Sequence, residues 1–319
     1  MDHRLSLESI ERARSTIDPV FLGSPQFVCE PLAAALGCTL TVKVETLNPI
    51  RSFKGRGASH FVASLPPEAS LVCASAGNFG QALAYVCRAR ALPLTVYAAT
   101  GANALKLERM RALGANVVLE GEDFDAAKLA AKRHAAAHGA QMVEDGLEPL
   151  ISEGAGTIGI ELLAAGPFDA LLIPLGNGAL LNGVARAVKA SAPATEIIAV
   201  CAAGASAMLD SWRAGRVIAY PQIATIADGI GVRAPIPEAL DDMRGIVDDG
   251  LLVTDDAMLA AMRLALRHLG LVLEPSGAAG LAALIDHGAR FAGRRVATVL
   301  CGGNLTEAQI AAWLTPEGE

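Results

Sequence analysis

From about residue 40 onward the apolar positions fall into two alternating patterns. Short β-branched runs ("LTVKVE", "SLVCASA", "LPLTVYAA", "ANVVLEG", "DALLIPLG", "EIIAVCAA", "RRVATVLCGG") are mostly apolar, as strands buried on both faces are. Between them lie Ala- and Leu-rich stretches of helical period, such as "NALKLERMRALG", "FDAAKLAAKRHAAAHG" and "DAMLAAMRLALRHLG". Strands alternating with helices predict an α/β fold with parallel sheets covered on both sides. The stretch 67–146 holds a full set of β-α units and reads as a smaller α/β domain. Residues 1–66 and 147–319 then build a larger one. No internal repeat, long linker or low-complexity segment interrupts the pattern.

Composition narrows the class. With 319 residues, 52% hydrophobic and 18% charged, the chain can bury a large core. A net charge of -7 and the lack of any dense Lys/Arg run argue against a nucleic-acid partner. A spanning helix needs about 20 apolar residues in a row. The best candidate, "FDALLIPLGNGALLNGVARAV", is broken by Pro174, Gly176, Asn177, Gly178, Asn182 and Gly183, and reads as a buried strand, a loop and a helix. The start, "MDHRLSLESIERARS", is charged and helix-like and carries no secretory signal. Six scattered cysteines without a CxxC pair indicate free thiols in a reducing cytoplasm. His134 and His138 share a helix face with no carboxylate beside them, so a solvated face is the reading there and no metal site is expected.

Three apolar runs end alike, in a Gly/Asn turn that leads on into a helix or towards one. They are Ser75-Ala76-Gly77-Asn78, Gly176-Asn177-Gly178-Ala179 and Cys301-Gly302-Gly303-Asn304. In open α/β sheets the carboxyl ends of the strands form the ligand crevice. A Gly-rich turn entering a helix offers free N–H groups and partial positive charge to an anion. Any tight turn also favours Gly and Asn, so the weight comes from three such turns in one chain. The P-loop pattern is absent, and GxGxxG fails because Leu181 stands where its third glycine belongs. A single phosphate fits better than a pyrophosphate. The segment "NPIRSFKGRGA" places Lys54 between Phe53 and a Gly-Arg-Gly hinge, in a stretch that is neither a good helix nor a clean strand. A surface lysine in a turn is one reading; an amine kept for reaction is the other. A lysine together with a phosphate-binding loop is what pyridoxal phosphate requires, the amine for a Schiff base with its aldehyde and the N–H nest for its phosphate.

The motifs themselves resemble a known family. "SFKGRGA" is similar to the lysine signature of the serine/threonine dehydratases, which belong to the fold type II (tryptophan synthase β-like) pyridoxal phosphate enzymes. "SAGNFGQA" resembles that family's substrate-carboxylate loop and "LGNGAL" its tetraglycine phosphate loop. "GAGTIGIE", "ADGIGV", "EPSGAAGLAAL" and "LCGGN" follow in the family's order, so the resemblance spans about residues 20–305. It implies two parallel-sheet domains with the cofactor in the cleft between them. Lys54 is implied as the cofactor's covalent anchor and as the base that removes the substrate's Cα proton, with Phe53 as an apolar neighbour that disfavours the charged amine. The flanking glycines are expected to let backbone and cofactor approach. Ser75, Ala76, Gly77, Asn78 and Phe79 correspond to the carboxylate loop, Asn78 also reaching the cofactor's phenolic oxygen. Gly176, Asn177, Gly178, Ala179 and Leu180 correspond to the phosphate cradle, Cys301 to the partner of the ring nitrogen, and Glu274 to a residue beside the ring. Arg56 is assigned to structure. Asp145 and Gly146 fall where relatives carry polar residues near the cofactor.

Departures from the family pattern sharpen the expected reaction. Serine racemases carry a second acid/base serine where this chain has Ala76, which has no proton to give. The carboxylate loop's usual histidine is Phe79, and the tetraglycine loop has become Gly-Asn-Gly-Ala. The acidic cation ligand of relatives is replaced within Ala202-Ala203-Gly204, so no metal is expected. The stretch after "CGGN" is short, so no regulatory domain is expected. The reading is therefore a cytoplasmic lyase, homodimeric as this architecture implies, that performs α,β-elimination on a small β-hydroxy amino acid such as L-threonine or L-serine to give a 2-oxo acid and ammonia. An amino-acid racemase, a β-replacement synthase, or a non-catalytic binder of cofactor or amino acid are the alternatives.

Overall fold

The computed structural model describes residues 3–102 and 104–315. In chain order, helix α1 (Leu7–Thr16) precedes strand β1 (Gln26–Val28), α2 (Glu30–Leu36), β2 (Thr39–Val44) and α3 (Lys54–Ala63). Strand β3 (Leu71–Ala74), α4 (Asn78–Ala89), β4 (Leu94–Ala98), α5 (Ala104–Ala112), β5 (Asn116–Leu119), α6 (Phe124–His138) and β6 (Gln141–Met142) follow. Then come α7 (Pro149–Leu163), β7 (Ala170–Pro174), α8 (Ala179–Ser191), β8 (Glu196–Ala202), α9 (Ala207–Ala214) and α10 (Pro237–Met243). Strand β9 (Asp249–Val253), α11 (Asp255–Leu269), α12 (Pro275–Asp286), β10 (Arg295–Leu300) and α13 (Glu307–Leu314) complete the described chain.

The strands form two sheets. One has six strands in the order β1-β2-β10-β7-β8-β9, and the other four in the order β5-β4-β3-β6. All ladders are parallel except that of β1, which runs antiparallel along β2 at the edge of the larger sheet. The expected strand runs correspond to seven of these strands. The other three, β1, β6 and β9, lack a long β-branched run: β1 is three residues with Phe27 and Val28 exposed, and β6 has only two.

Both faces of each sheet are covered, which is why the central strands carry no polar alternation. In the large sheet Leu172 and Val200 face α11 and α12 through Met258 and Leu281. Their neighbours Leu171, Ile173 and Ala199 point the other way, to Ile158 of α7 and Val184 of α8. In the small sheet Cys73 and Val96 pack with Leu83 of α4 and Phe61 of α3, while Val72 packs on Ala127 and Ala131 of α6. No helix among the described residues is long and apolar enough to cross a membrane.

The segment around Lys54 departs from its sequence pattern, because Lys54 begins a ten-residue helix. The flanking glycines explain the difference. A Cβ on Gly57 would lie 2.4 Å from the backbone oxygen of Ile151, and one on Gly55 2.4 Å from the Phe21 ring. The two glycines let α3 lie against α7 and the Phe21 ring. Tertiary contact supplies what helix propensity withholds. Arg56, between them, is fully buried and reaches Glu45, Glu161, Thr157 and Ser24, in keeping with its structural assignment.

Candidate active site

A cavity of about 630 Å³ opens between the two sheets, at the carboxyl ends of β3, β7 and β10. Four helices begin on it or beside it: α3 after Phe53, α4 after Gly77, α8 after Gly178 and α12 after Glu274. None of the four has a side-chain N-cap. Helices α1, α6, α11 and α13 are capped by Ser6, Asp123, Thr254 and Thr306, while α2, α7, α9 and α10 are uncapped as well, so it is the placement of the four starts on the cavity that matters. An uncapped helix start leaves N–H donors and partial positive charge for an anion.

Lys54 is positioned by the turn before it. The Asn48 carboxamide accepts from the N–H groups of Ile50 (3.1 Å) and Ser52 (3.3 Å), and its Nδ2 donates to Ser52 O (3.1 Å). Arg51 takes the left-handed conformation, φ 52°, which is costly for a residue with a Cβ. The Phe53 N–H then donates to Cys301 O (3.1 Å), tying the lysine turn to the end of β10. Lys54 Nζ lies 4.6 Å from the Phe53 ring centroid and 6.0 Å from that of Phe79. It donates to Asp145 Oδ2 at 2.5 Å. Its apolar neighbour is thus joined by a carboxylate.

The loop after β3 is arranged by Ser75, whose Oγ accepts from Gly77 N (3.2 Å) and Gly80 N (3.0 Å). Asn78 opens α4 and donates through Nδ2 to Glu274 Oε1 (2.6 Å), while its Oδ1 accepts from Asn304 Nδ2 (2.8 Å). Asn304 N donates to Glu274 Oε2 at 3.2 Å. The Glu274 carboxyl is buried; burial, then the nearby Asp228 carboxylate, push it up to about 7. The turn after β7 enters α8 with Gly178 at φ 96°, a conformation that favours glycine. Cys301 is buried at the end of β10 with its thiol 3.6 Å from Ser276 O, and burial pushes that thiol up, followed by the charge of Glu274.

Every site residue expected from the sequence, from Phe53 and Lys54 through Ser75–Phe79, Gly176–Leu180 and Glu274 to Cys301, lines this one cavity. Three features lie outside that expected set. Asp145, by resemblance only one polar residue near the cofactor, holds the lysine. The buried Ser276 hydroxyl lines the cavity with no hydrogen-bond partner among the described residues. Ion pairs also cross the mouth, Lys106 Nζ to Asp228 Oδ2 at 2.5 Å and Arg233 to Asp123 and Asp125. The signal for Ser276 was its place inside "EPSGAAG". The cross-cleft pairs join residues more than a hundred positions apart and leave no local trace.

The donor set suits a group with one phosphate, one aldehyde and one ring nitrogen. Uncapped helix starts serve anions, Lys54 supplies an amine, and Cys301 and Ser276 supply small polar groups at the cavity's inner wall. Gly302 lets Glu274 and Asn78 pack against the end of β10, since a Cβ there would lie 2.1 Å from Glu274 Oε1 and 3.1 Å from Asn78 Nδ2.

Residues 17–302 match the family model described as pyridoxal-phosphate dependent enzyme. An L-threonine ammonia-lyase of Geobacter sulfurreducens is 35% identical over 274 residues, 85% of this chain and 68% of that protein. Among solved structures, a T.th. threonine deaminase superposes with a TM-score of 0.89 at 33% identity, covering 94% of this chain and 99% of that one. Maize serine racemase superposes with a TM-score of 0.90 at 28% identity, covering 97% and 96%.

Proposed function

Because the chain belongs to the pyridoxal-phosphate-dependent enzymes, we propose that it is an ammonia-lyase, converting L-threonine or L-serine to a 2-oxo acid and ammonia, with the water lost on elimination returned in hydrolysis. The observation that carries this reading is the convergence of Lys54, the Ser75–Phe79 loop and the Gly176–Leu180 loop on one cavity whose residue 76 is alanine. When bound, pyridoxal phosphate supplies an electron sink for charge developing at the substrate's Cα. Uncapped N–H groups of α8, with Gly176–Leu180, would hold its phosphate, and Cys301 would serve its ring nitrogen. Those of α4, with Ser75, Gly77 and Asn78, hold the substrate carboxylate and orient the Cα–H bond. Lys54 Nζ takes the Cα proton. The β-hydroxyl leaves with a proton as water, and the released enamine hydrolyses to the 2-oxo acid and ammonia.

A thiol is a weaker proton source for the ring nitrogen than a carboxylic acid, and burial weakens Cys301 further. This favours rapid loss of a β-substituent over transamination. Racemisation requires a second acid/base on the face opposite Lys54, and Ala76 supplies none. The two sheets mark two lobes in this reading, 67–146 and the remainder. Six buried free cysteines suit a reducing cytoplasm, and a homodimer is the assembly proposed.

The test is a panel of L- and D-β-hydroxy amino acids assayed for 2-oxo acid and for inverted substrate. Oxo acid from L-threonine or L-serine is expected, and inversion without oxo acid would overturn the reading. Restoring a hydroxyl with Ala76→Ser is expected to raise trace racemisation; an unchanged rate counts against the argument from Ala76.

A further inference from the structure

Lys54 has one carboxylate partner among the described residues, and its placement is not incidental. Asp145 follows β6, where Val143 N donates to Val72 O at 2.8 Å. Glu144, before it, is held by Lys128 and Lys132 of α6. After it, Gly146 O and Leu147 O accept from Arg4 at 3.5 Å and 2.7 Å, and Arg4 is itself held by Asp242. Gly146 packs so tightly on the phosphate-side loop that a Cβ there would lie 2.1 Å from Asn177 O. The turn is thus fixed on both sides and abuts the Gly/Asn loop after β7. From it the Asp145 carboxylate, 13% exposed, meets the Lys54 side chain, 14% exposed, across the cleft between the sheets. Its Oδ2 takes Nζ at 2.5 Å, while its Oδ1 is buried with no hydrogen-bond partner among the described residues.

We propose that Asp145 is the positioning residue for Lys54, aiming its amine and exchanging a proton with it. This rests on the reading above in which Lys54 is the reacting amine. An ammonium cannot attack an aldehyde, so the lysine has to shed a proton before attachment and carry one after deprotonating Cα. Transfer of one proton from Nζ to Oδ2 turns the ammonium–carboxylate pair into an amine and a carboxylic acid. The reverse transfer regenerates the ion pair, so the balance needs no other reactant. A carboxamide at this position still fills the space and accepts one hydrogen bond but cannot take the proton.

The test compares Asp145→Asn, Asp145→Glu and Asp145→Ala in the full chain by two readouts. One is the rate at which apoenzyme acquires the absorbance of lysine-bound pyridoxal phosphate. The other is kcat and KM for 2-oxo acid release by the holoenzyme. Asp145→Asn is expected to slow attachment and lower kcat by about 10- to 100-fold, as loss of a group that orients a reacting one does, with KM changed less than about threefold. Asp145→Glu is expected to recover part of both. The proposal is overturned if Asp145→Asn keeps both rates within about twofold. It is equally overturned if KM alone rises, or if Asp145→Glu is no better than Asp145→Ala, which would mark a purely structural residue. Should Asp145→Asn not fold, the Glu and Ala pair decides on the same criteria. A wild-type enzyme that binds the cofactor but releases no oxo acid would refute the elimination reading while the attachment rates still judge Asp145.

Discussion

Glu274 is a carboxyl group that the fold keeps protonated far above its ordinary range. It is buried, 3% exposed, and burial outweighs the N–H donors of Asn78 and Asn304, which favour the charged form. Its folded pKa of about 7 lies above the ordinary 4.5, so the folded state binds the extra proton between those values. Stability from this group is complete below pH 4.5 and lost as pH rises toward 7, an effect of up to about 3 kcal/mol. Glu274→Gln, which cannot ionise, is expected to lose less stability than the wild type between pH 5 and pH 8. Parallel urea curves for the two proteins across that range would count against a protonated Glu274. Glu274 and Lys54 could be singled out in the sequence because each sits in a motif with a resemblance to carry it. The role of Asp145 could not, since its meaning is a 2.5 Å contact with a residue 91 positions away.

Secondary structure was legible where local pattern and tertiary burial agree, as in the apolar runs that became β2, β7, β8 and β10. It was not legible in α3, whose propensity is undone by Gly55 and Gly57 and restored by packing. The two glycines make separable predictions. At Gly57 the obstacle is the backbone oxygen of Ile151, which cannot turn aside. At Gly55 it is the Phe21 ring, a side chain that can give. Overpacking of a core costs about 1–3 kcal/mol, occasionally more. Gly57→Ala is therefore expected to cost more than Gly55→Ala by denaturant midpoint, and a Phe21→Leu background is expected to relieve only Gly55→Ala. Equal costs with no relief would contradict this account of how α3 is seated. The uncapped starts of α4 and α8 carry the matching lesson for the site. Residues 77 and 178 are glycine where Ser, Thr or Asp would cap, so first-turn N–H groups remain for a ligand, save Gly80 N of α4, which donates to Ser75 Oγ.

At the scale of the molecule, one buried charge network joins the elements behind Lys54. Arg56 of α3 pairs with Glu45, just beyond β2, and with Glu161 of α7, which also takes Lys43 of β2 at 2.5 Å. Burial alone would raise the Glu161 carboxyl; the Arg56 and Lys43 hydrogen bonds hold it down at about 2. A depressed carboxyl stabilises above its ordinary 4.5, and that stability is lost as pH falls toward 2. Removing the Arg56 cation leaves Glu45 uncompensated and Glu161 with Lys43 alone, so Arg56→Met is expected to cost about 3–5 kcal/mol in urea unfolding. A cost under about 1 kcal/mol would mean the network is incidental. The sequence assigned Arg56 to structure but could not name its partners, and it had no signal for the pairs closing the cleft mouth. Whether the assembled cleft does what its parts suggest comes down to which of the chain's six lysines takes the cofactor. The direct measurement is borohydride reduction of the full chain loaded with pyridoxal phosphate, followed by digestion and mass mapping. A reduced cofactor adduct on the Lys54 peptide, absent in Lys54→Ala, is the predicted result; an adduct on Lys106 or another lysine, or none at all, would contradict it.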